Sequence, residues 1–156
     1  MGRARRESTP AQRALALLVR REHSRPELTR KLVARGIEAA EASAAVAKMA
    51  EAGWQDDIRF ACSLARSRAA GGQGPVRIRA ELASHGLDES VVASAFAALA
   101  EAGEDDWLAR ARELVRRRFG PDLGMLPVRR KAADFLLRRG FDGDCVRRAV
   151  RLDPDE

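Results

Sequence analysis

Residues 37–53 recur fifty positions later as residues 87–103, and the match needs no gap. Ile37 falls on Leu87, Ala42 on Val92, Ala45 on Ala95, Val46 on Phe96, Met49 on Leu99 and Ala50 on Ala100. Both copies end in Ala-Glu-Ala-Gly, at Gly53 and at Gly103. A third copy starts at Phe141, where Cys145, Val146, Ala149 and Val150 take the places of Val91, Val92, Ala95 and Phe96. The shared positions recur at helical spacing, so each copy reads as an amphipathic helix with one apolar face. Self-similarity at a long fixed period is the mark of a repeat architecture.

Composition limits what such repeats can be. Apolar residues make up 46% of the 156, but only 4% are aromatic and there is no Tyr. Much of the apolar share is Ala, which favours helices and buries little area per residue. The expectation is an all-helical protein with thin cores. Lys and Arg number 29 against 23 acids, a net charge of +6, which points to an anionic partner such as nucleic acid or an acidic protein surface. Cys145 lies on the apolar stripe of the third copy, whereas Cys62 aligns with Arg112 and is expected to face outward. No Cys-x-x-Cys pair exists, and His23 and His85 are isolated, so neither a metal site nor a structural disulfide is expected. The run after Arg3, Arg5 and Arg6 is too short for a signal-peptide core or a membrane span, and an intracellular, cytoplasmic chain is expected.

Helix signals divide the chain into three triplets. Residues 1–10 are expected to form a disordered basic tail, followed by repeats over 11–53, 54–103 and 104–156, the last with a short C-terminal tail. Pro10 suits a helix start, and Ala14, Leu15, Leu17, Leu18 and Val19 form the first apolar cluster. Ser24 stands three residues before Glu27 in capping-box spacing, and Leu28, Leu32 and Val33 are expected to face inward before Gly36. Asp56-Asp57 and Asp105-Asp106 suit the starts of the next two lead helices, the first bearing Ile58, Ala61, Leu64 and Ala65 on one face. The stretch Gly71-Gly72-Gln73-Gly74-Pro75 reads as a flexible break before the helix of Ile78 and Leu82. Gly120-Pro121 ends the seventh helix, Gly140 closes the eighth, and the last runs from Asp142 to about Leu152, losing its stripe at Asp153. A polar final helix suits a terminal repeat. Three units that must share apolar faces give an elongated, curved array.

The middle helix of each triplet is basic, with Arg25, Arg30, Lys31 and Arg35, then Arg77 and Arg79, then Arg129, Arg130, Lys131, Arg138 and Arg139. Aligned along the array, these cations are expected to make a long positive strip. Such a strip attracts phosphates, with binding that weakens as salt rises, and equally suits an acidic protein. There is no Walker loop, His-Glu-x-x-His, zinc spacing or Gly-x-Ser-x-Gly elbow. The two Asp pairs sit where capping favours Asp, with no His nearby, so no catalytic residue, metal or cofactor is expected.

Three stretches carry a family resemblance: Ser24-Arg25-Pro26-Glu27-Leu28 through Lys31-Leu32 to Gly36; Gly53-Trp54-Gln55-Asp56-Asp57-Ile58-Arg59-Phe60-Ala61; and Gly74 through Leu82 to Gly86-Leu87. Together they resemble the RecX regulatory proteins of bacteria over roughly residues 12–152, with Asp-Asp-x-Arg-Phe-Ala the most specific part. The resemblance implies a cytoplasmic, non-enzymatic modulator of the RecA recombinase, and a monomer is expected. Such a protein binds RecA and its filament on single-stranded DNA and lies along the filament groove. It lowers filament extension, strand exchange, ATP hydrolysis and SOS co-protease activity. Charge and helix placement nominate Arg25, Arg30, Lys31, Arg35, Arg77, Arg79, Arg130 and Lys131 as contacts to RecA or DNA phosphates. Trp54, Phe60 and Phe96 are expected in cores or repeat junctions. Two other readings stand beside this one: a nucleic-acid-binding helical repeat acting without RecA, and a helical scaffold between two proteins.

Overall fold

The computed structural model describes residues 7–151; the first six residues of the expected tail, and Leu152 onward, lie outside the described residues. The described residues form nine α-helices in three triplets: α1 (Pro10–Arg20), α2 (Arg25–Ala34) and α3 (Ala39–Glu51); α4 (Asp57–Ala70), α5 (Pro75–Ser84) and α6 (Glu89–Glu101); α7 (Trp107–Phe119), α8 (Leu126–Arg139) and α9 (Gly143–Val150). A 3-10 turn over Gly120–Gly124 links α7 to α8. Pro10 is the first residue of α1, not the last of a tail. The Thr9 side chain accepts from the Gln12 N–H at 3.1 Å, and the Gln12 side chain accepts from the Thr9 N–H at 2.9 Å.

Capping side chains set four of the eight other α-helix starts among the described residues. Asp56, Asp106 and Asp142 each accept the N–H three residues on, at 3.0, 3.0 and 2.8 Å, and so begin α4, α7 and α9. Ser24 does the same for Glu27, but the reciprocal half of the expected capping box is absent. The Glu27 carboxylate turns instead to Arg21 and Lys31.

Each triplet closes on its own core. Leu28, Leu32, Val46 and Met49 centre the first, Ile78, Leu82, Val92 and Leu99 the second, and Val115, Phe135, Leu136 and Phe141 the third. All substantial helix–helix packing lies inside a triplet. The chain exposes 10195 Å², whereas a compact monomer of its mass exposes about 7,800 Å². The array is therefore extended and has no shared centre. Cys62 does not face outward as expected. It packs against the second core, and burial pushes its thiol up, as burial does for Cys145. Val33 and Ile58 are exposed where inward faces were expected. Val33 sits one residue round the helix from buried Leu32, and Ile58 overhangs a core that starts at Ala61.

The middle helices α8 and α5 run end to end. At the junction of the second and third triplets the Gly74 N–H donates to the Arg139 carbonyl at 2.8 Å, and the Val76 N–H to the Gly140 carbonyl at 2.9 Å. The orphan donors at the start of α5 thus meet the orphan acceptors at the end of α8, dipole head to tail. A β-carbon on Gly74 would lie 2.5 Å from the Gly140 backbone, and one on Gly140 would lie 2.3 Å from Arg77 Cβ. The stretch read as a flexible break is therefore a tight weld. Glycine is needed there so that two backbones can touch.

The first and second triplets join differently, through side chains. Asp57 Oδ1 accepts the Arg25 N–H at 2.8 Å at the start of α2, Gln55 Nε2 donates to the His23 carbonyl at 3.2 Å, and Arg59 pairs with Glu22 at 2.6 Å. Within the second triplet the Phe60 and His85 rings meet edge to face at 4.9 Å, and both line a cleft of about 490 Å³ at this junction with Arg21, Glu22 and Glu27.

His23 makes the junction sensitive to acid. It is 1% exposed, with Nδ1 3.0 Å from the Arg21 carbonyl and Nε2 3.1 Å from Lys31 Nζ. Lys31 can only donate, so Nε2 must be the unprotonated nitrogen. Burial, with the charges of Arg21 and Lys31, holds the ring's pKa below its usual 6.5, against the opposing Arg21 carbonyl and Glu27. Burial would raise Glu27, but the Arg21 hydrogen bond and the charges of Arg21, His23 and Lys31 hold it below the usual 4.5. As pH falls below 6.5 the unfolded chain takes up a proton at His23 that the folded chain refuses, so stability falls. Glu27 contributes stability above 4.5, lost as pH falls through its lowered value, in the same direction. Thermal melts should therefore show loss between pH 7 and 5, by at most about 1.4 kcal/mol per pH unit for the single His23 proton. A His23→Gln variant should lose less over the same interval.

Candidate interaction face

The nominated cations lie on α2, α5 and α8, with Arg35 at the C-cap of α2, and the helix period decides which are free. On α2, Leu28 and Leu32 turn to the core, leaving Arg25, Arg30 and Arg35 in solvent. Neither Arg30 nor Arg35 forms an ion pair with another described residue. Lys31 is committed: Nζ stands 3.8 Å from Glu27 and 3.1 Å from His23 Nε2.

On α5, Arg77 donates to the Arg138 carbonyl at 3.3 Å across the weld. Arg79 pairs with Glu89 at 3.0 Å, and its guanidinium lies 4.5 Å over the Phe96 ring. On α8, Arg130 and Lys131 are exposed and form no ion pair among the described residues. Phe60 and Phe96 lie where expected, in or against the core, but Trp54 is 55% exposed.

The positive strip is not continuous. Residues 11–53 hold eight cations against five acids, residues 54–103 five against six, and residues 104–151 thirteen against eight. The middle triplet spends its arginines as mortar. Arg59 goes to Glu22, Arg66 to Glu104, Arg68 to Glu81, Arg79 to Glu89, and Arg77 to a carbonyl. Among the described residues, free positive charge is therefore sparse in the middle triplet and richest in two banks, on α2 and on the third triplet.

The second bank is larger than helix counting suggested. Arg118 from α7 lies 4.8 Å over the Phe135 ring and Arg139 lies 5.1 Å over it. A cleft of about 360 Å³ is lined by Arg118, Phe119, Lys131, Asp134, Phe135 and Arg138. The Arg116-Arg117-Arg118 run is visible in sequence, but its approach to α8 is not. Among the described residues no group of three His, Cys, Asp or Glu could hold a metal ion, and no helix is long and apolar enough to cross a membrane.

Three stretches match the RecX three-helix domains in order: the first over residues 12–49, the second over 56–95 and the third over 104–150. The chain belongs to the RecX family. The regulatory protein RecX of Stenotrophomonas maltophilia (strain R551-3) is 62% identical over 157 residues, covering 99% of this chain and 94% of the relative. That of Xanthomonas oryzae pv. oryzae (strain MAFF 311018) is 56% identical over 153 residues, covering 98% and 94%. The crystal structure of RecX from Lactobacillus salivarius shares the fold, with a TM-score of 0.73 at 21% identity, over 90% of this chain and 92% of that one. Each of the three RecX matches falls on one helical triplet, and each triplet closes on its own core.

Proposed function

We propose that this RecX-family chain is a negative regulator of the RecA recombinase. It acts in the cytoplasm as a monomer and binds RecA and the RecA–single-stranded DNA filament. Binding limits filament extension, strand exchange, ATP hydrolysis and SOS co-protease activity. Family membership supports the reading, since the relatives are named regulatory proteins. The observation that carries it is the end-to-end weld of α8 to α5, with α2 tied through its first N–H to the start of α4, and free cations on α2 and on the third triplet. An array of this kind suits a partner built of repeating subunits with acidic surface. Two banks on one body make the second contact intramolecular and raise its effective concentration. Arg30 and Arg35 serve one bank and Arg130 and Lys131 the other. Arg25, Lys31, Arg77 and Arg79 border them while also holding the scaffold. The chain acts by binding, and no catalytic step is assigned to it.

The test is the single-stranded-DNA-dependent ATPase of RecA with this protein added below stoichiometry. Strong inhibition is expected; no effect at equimolar protein overturns the reading. The cations gathered round Phe135 favour a second reading, direct contact with nucleic-acid phosphates without RecA. Titration onto single-stranded DNA separates the two: tight binding with a steep salt slope and no ATPase effect would select the second.

A further inference from the structure

Trp54 is an indole in water on a backbone tied by hydrogen bonds on both sides. Its side chain is 55% exposed, and Ile58, in the first turn of α4, is 49% exposed. The backbone around it is held on every side. The Trp54 N–H donates to the Met49 carbonyl at 2.9 Å. Arg59 donates to the Trp54 carbonyl at 3.0 Å and to the Gly53 carbonyl at 3.2 Å while paired with Glu22. The next residue, Gln55, is 4% exposed, and its amide bonds both the His23 carbonyl and Asp57.

The corresponding position in the next repeat shows what the fold itself requires there. Fifty residues on stands Glu104, which pairs with Arg66 of α4 at 2.9 Å and mortars two triplets together. In the first triplet α1 takes the place of α4, and no side chain of α1 forms a hydrogen bond, ion pair or ring contact with Trp54 among the described residues. Trp54 therefore has no corresponding structural task. A large exposed side chain with few rotatable bonds, on a hydrogen-bonded backbone, loses little freedom on binding, which is the character of an interface hot spot.

Its surroundings select the class of partner. Glu51 and Asp56 flank it and are exposed, which disfavours a phosphate backbone. On the other side Asp57 holds the first N–H of α2, so Ile58 borders the helix that carries Arg25, Arg30 and Arg35. We propose that Trp54, with Ile58 beside it, is an apolar anchor that enters a hydrophobic pocket on the protein partner, and that acidic side chains rim this pocket where it meets α2. The inference rests on the RecA-filament reading and names a contact of uncharged chemistry at the edge of the first cationic bank.

The experiment compares the full chain with its Trp54→Ala, Trp54→Phe and Arg30→Glu/Arg35→Glu variants for affinity to RecA filaments on single-stranded DNA, across a salt series. Trp54→Ala should bind roughly tenfold more weakly or worse, with an unchanged salt slope. Trp54→Phe should recover most of the loss. The charge variant should lose affinity and flatten the slope. Thermal midpoints of the Trp54 variants should stay close to the parent, since the indole is outside the core. Trp54→Ala binding like the parent, or Trp54→Phe failing as badly as Trp54→Ala while still folded, overturns the anchor alone. A parent chain that does not bind the filament overturns the anchor together with the reading it rests on.

Discussion

Replacing Gly140 by alanine is expected to cost roughly 3–5 kcal/mol and to loosen the third triplet from the second. Two penalties add. Gly140 sits at φ 94°, where an L side chain is strained. Its new β-carbon would also stand 2.3 Å from Arg77 Cβ and 2.7 Å from the Arg77 nitrogen, atoms fixed to the backbone of α5. Relief requires the helix ends to part, and parting them breaks the Gly74–Arg139 and Val76–Gly140 hydrogen bonds. Gly103→Ala is the control. It has φ 70° but nothing within 4 Å of the added carbon, so it carries the conformational penalty alone, about 1 kcal/mol. Thermal unfolding by circular dichroism should separate the two variants by several degrees, and small-angle scattering should report a larger radius for Gly140→Ala. Equal midpoints for the two would refute the weld.

Reversing Arg30 and Arg35 together to glutamate is expected to raise the concentration needed to inhibit RecA by roughly ten- to a hundredfold. Bringing like charges together across an interface costs several kcal/mol, and here attraction at an acidic surface becomes repulsion. The fold should not notice. Both side chains are exposed and form no ion pair among the described residues, and such surface changes stay within about 0.5 kcal/mol. Lys31 is left out because a carboxylate there would face Glu27 and remove the donor to His23 Nε2. That variant would confuse lost binding with a damaged junction. The matching reversal at Arg130 and Lys131 reads the second bank. ATPase inhibition that survives both reversals with helicity intact would remove the cationic banks from the mechanism.

The difference between Arg35 and Arg79 illustrates how far the site could be read from residues in a row. Both sit on basic middle helices and both were nominated by the same reasoning. Nothing near Arg79 in sequence announces Glu89 on the next helix or the Phe96 ring beneath it. The expectation of an unbroken strip failed because charge was counted helix by helix. The ion pairs that neutralise the middle triplet cross from one helix or one repeat to another, as Arg66 does to reach Glu104. Trp54 misled as well. Aromatics are usually buried, but this one is 55% exposed.

What the amino-acid order determined by itself was everything with a short period. Capping side chains three residues from their donors, apolar positions spaced to face one way, and a fifty-residue echo required nine helices in three like units among the described residues. These are local interactions, so local spacing records them. The tertiary structure alone decided how the units meet. The weld at Gly74 and Gly140, the Glu22–Arg59 pair and the Arg25–Asp57 cap join residues 32 to 66 positions apart. Contacts at that range leave no periodic trace, because each depends on where whole helices have been carried by their separate cores.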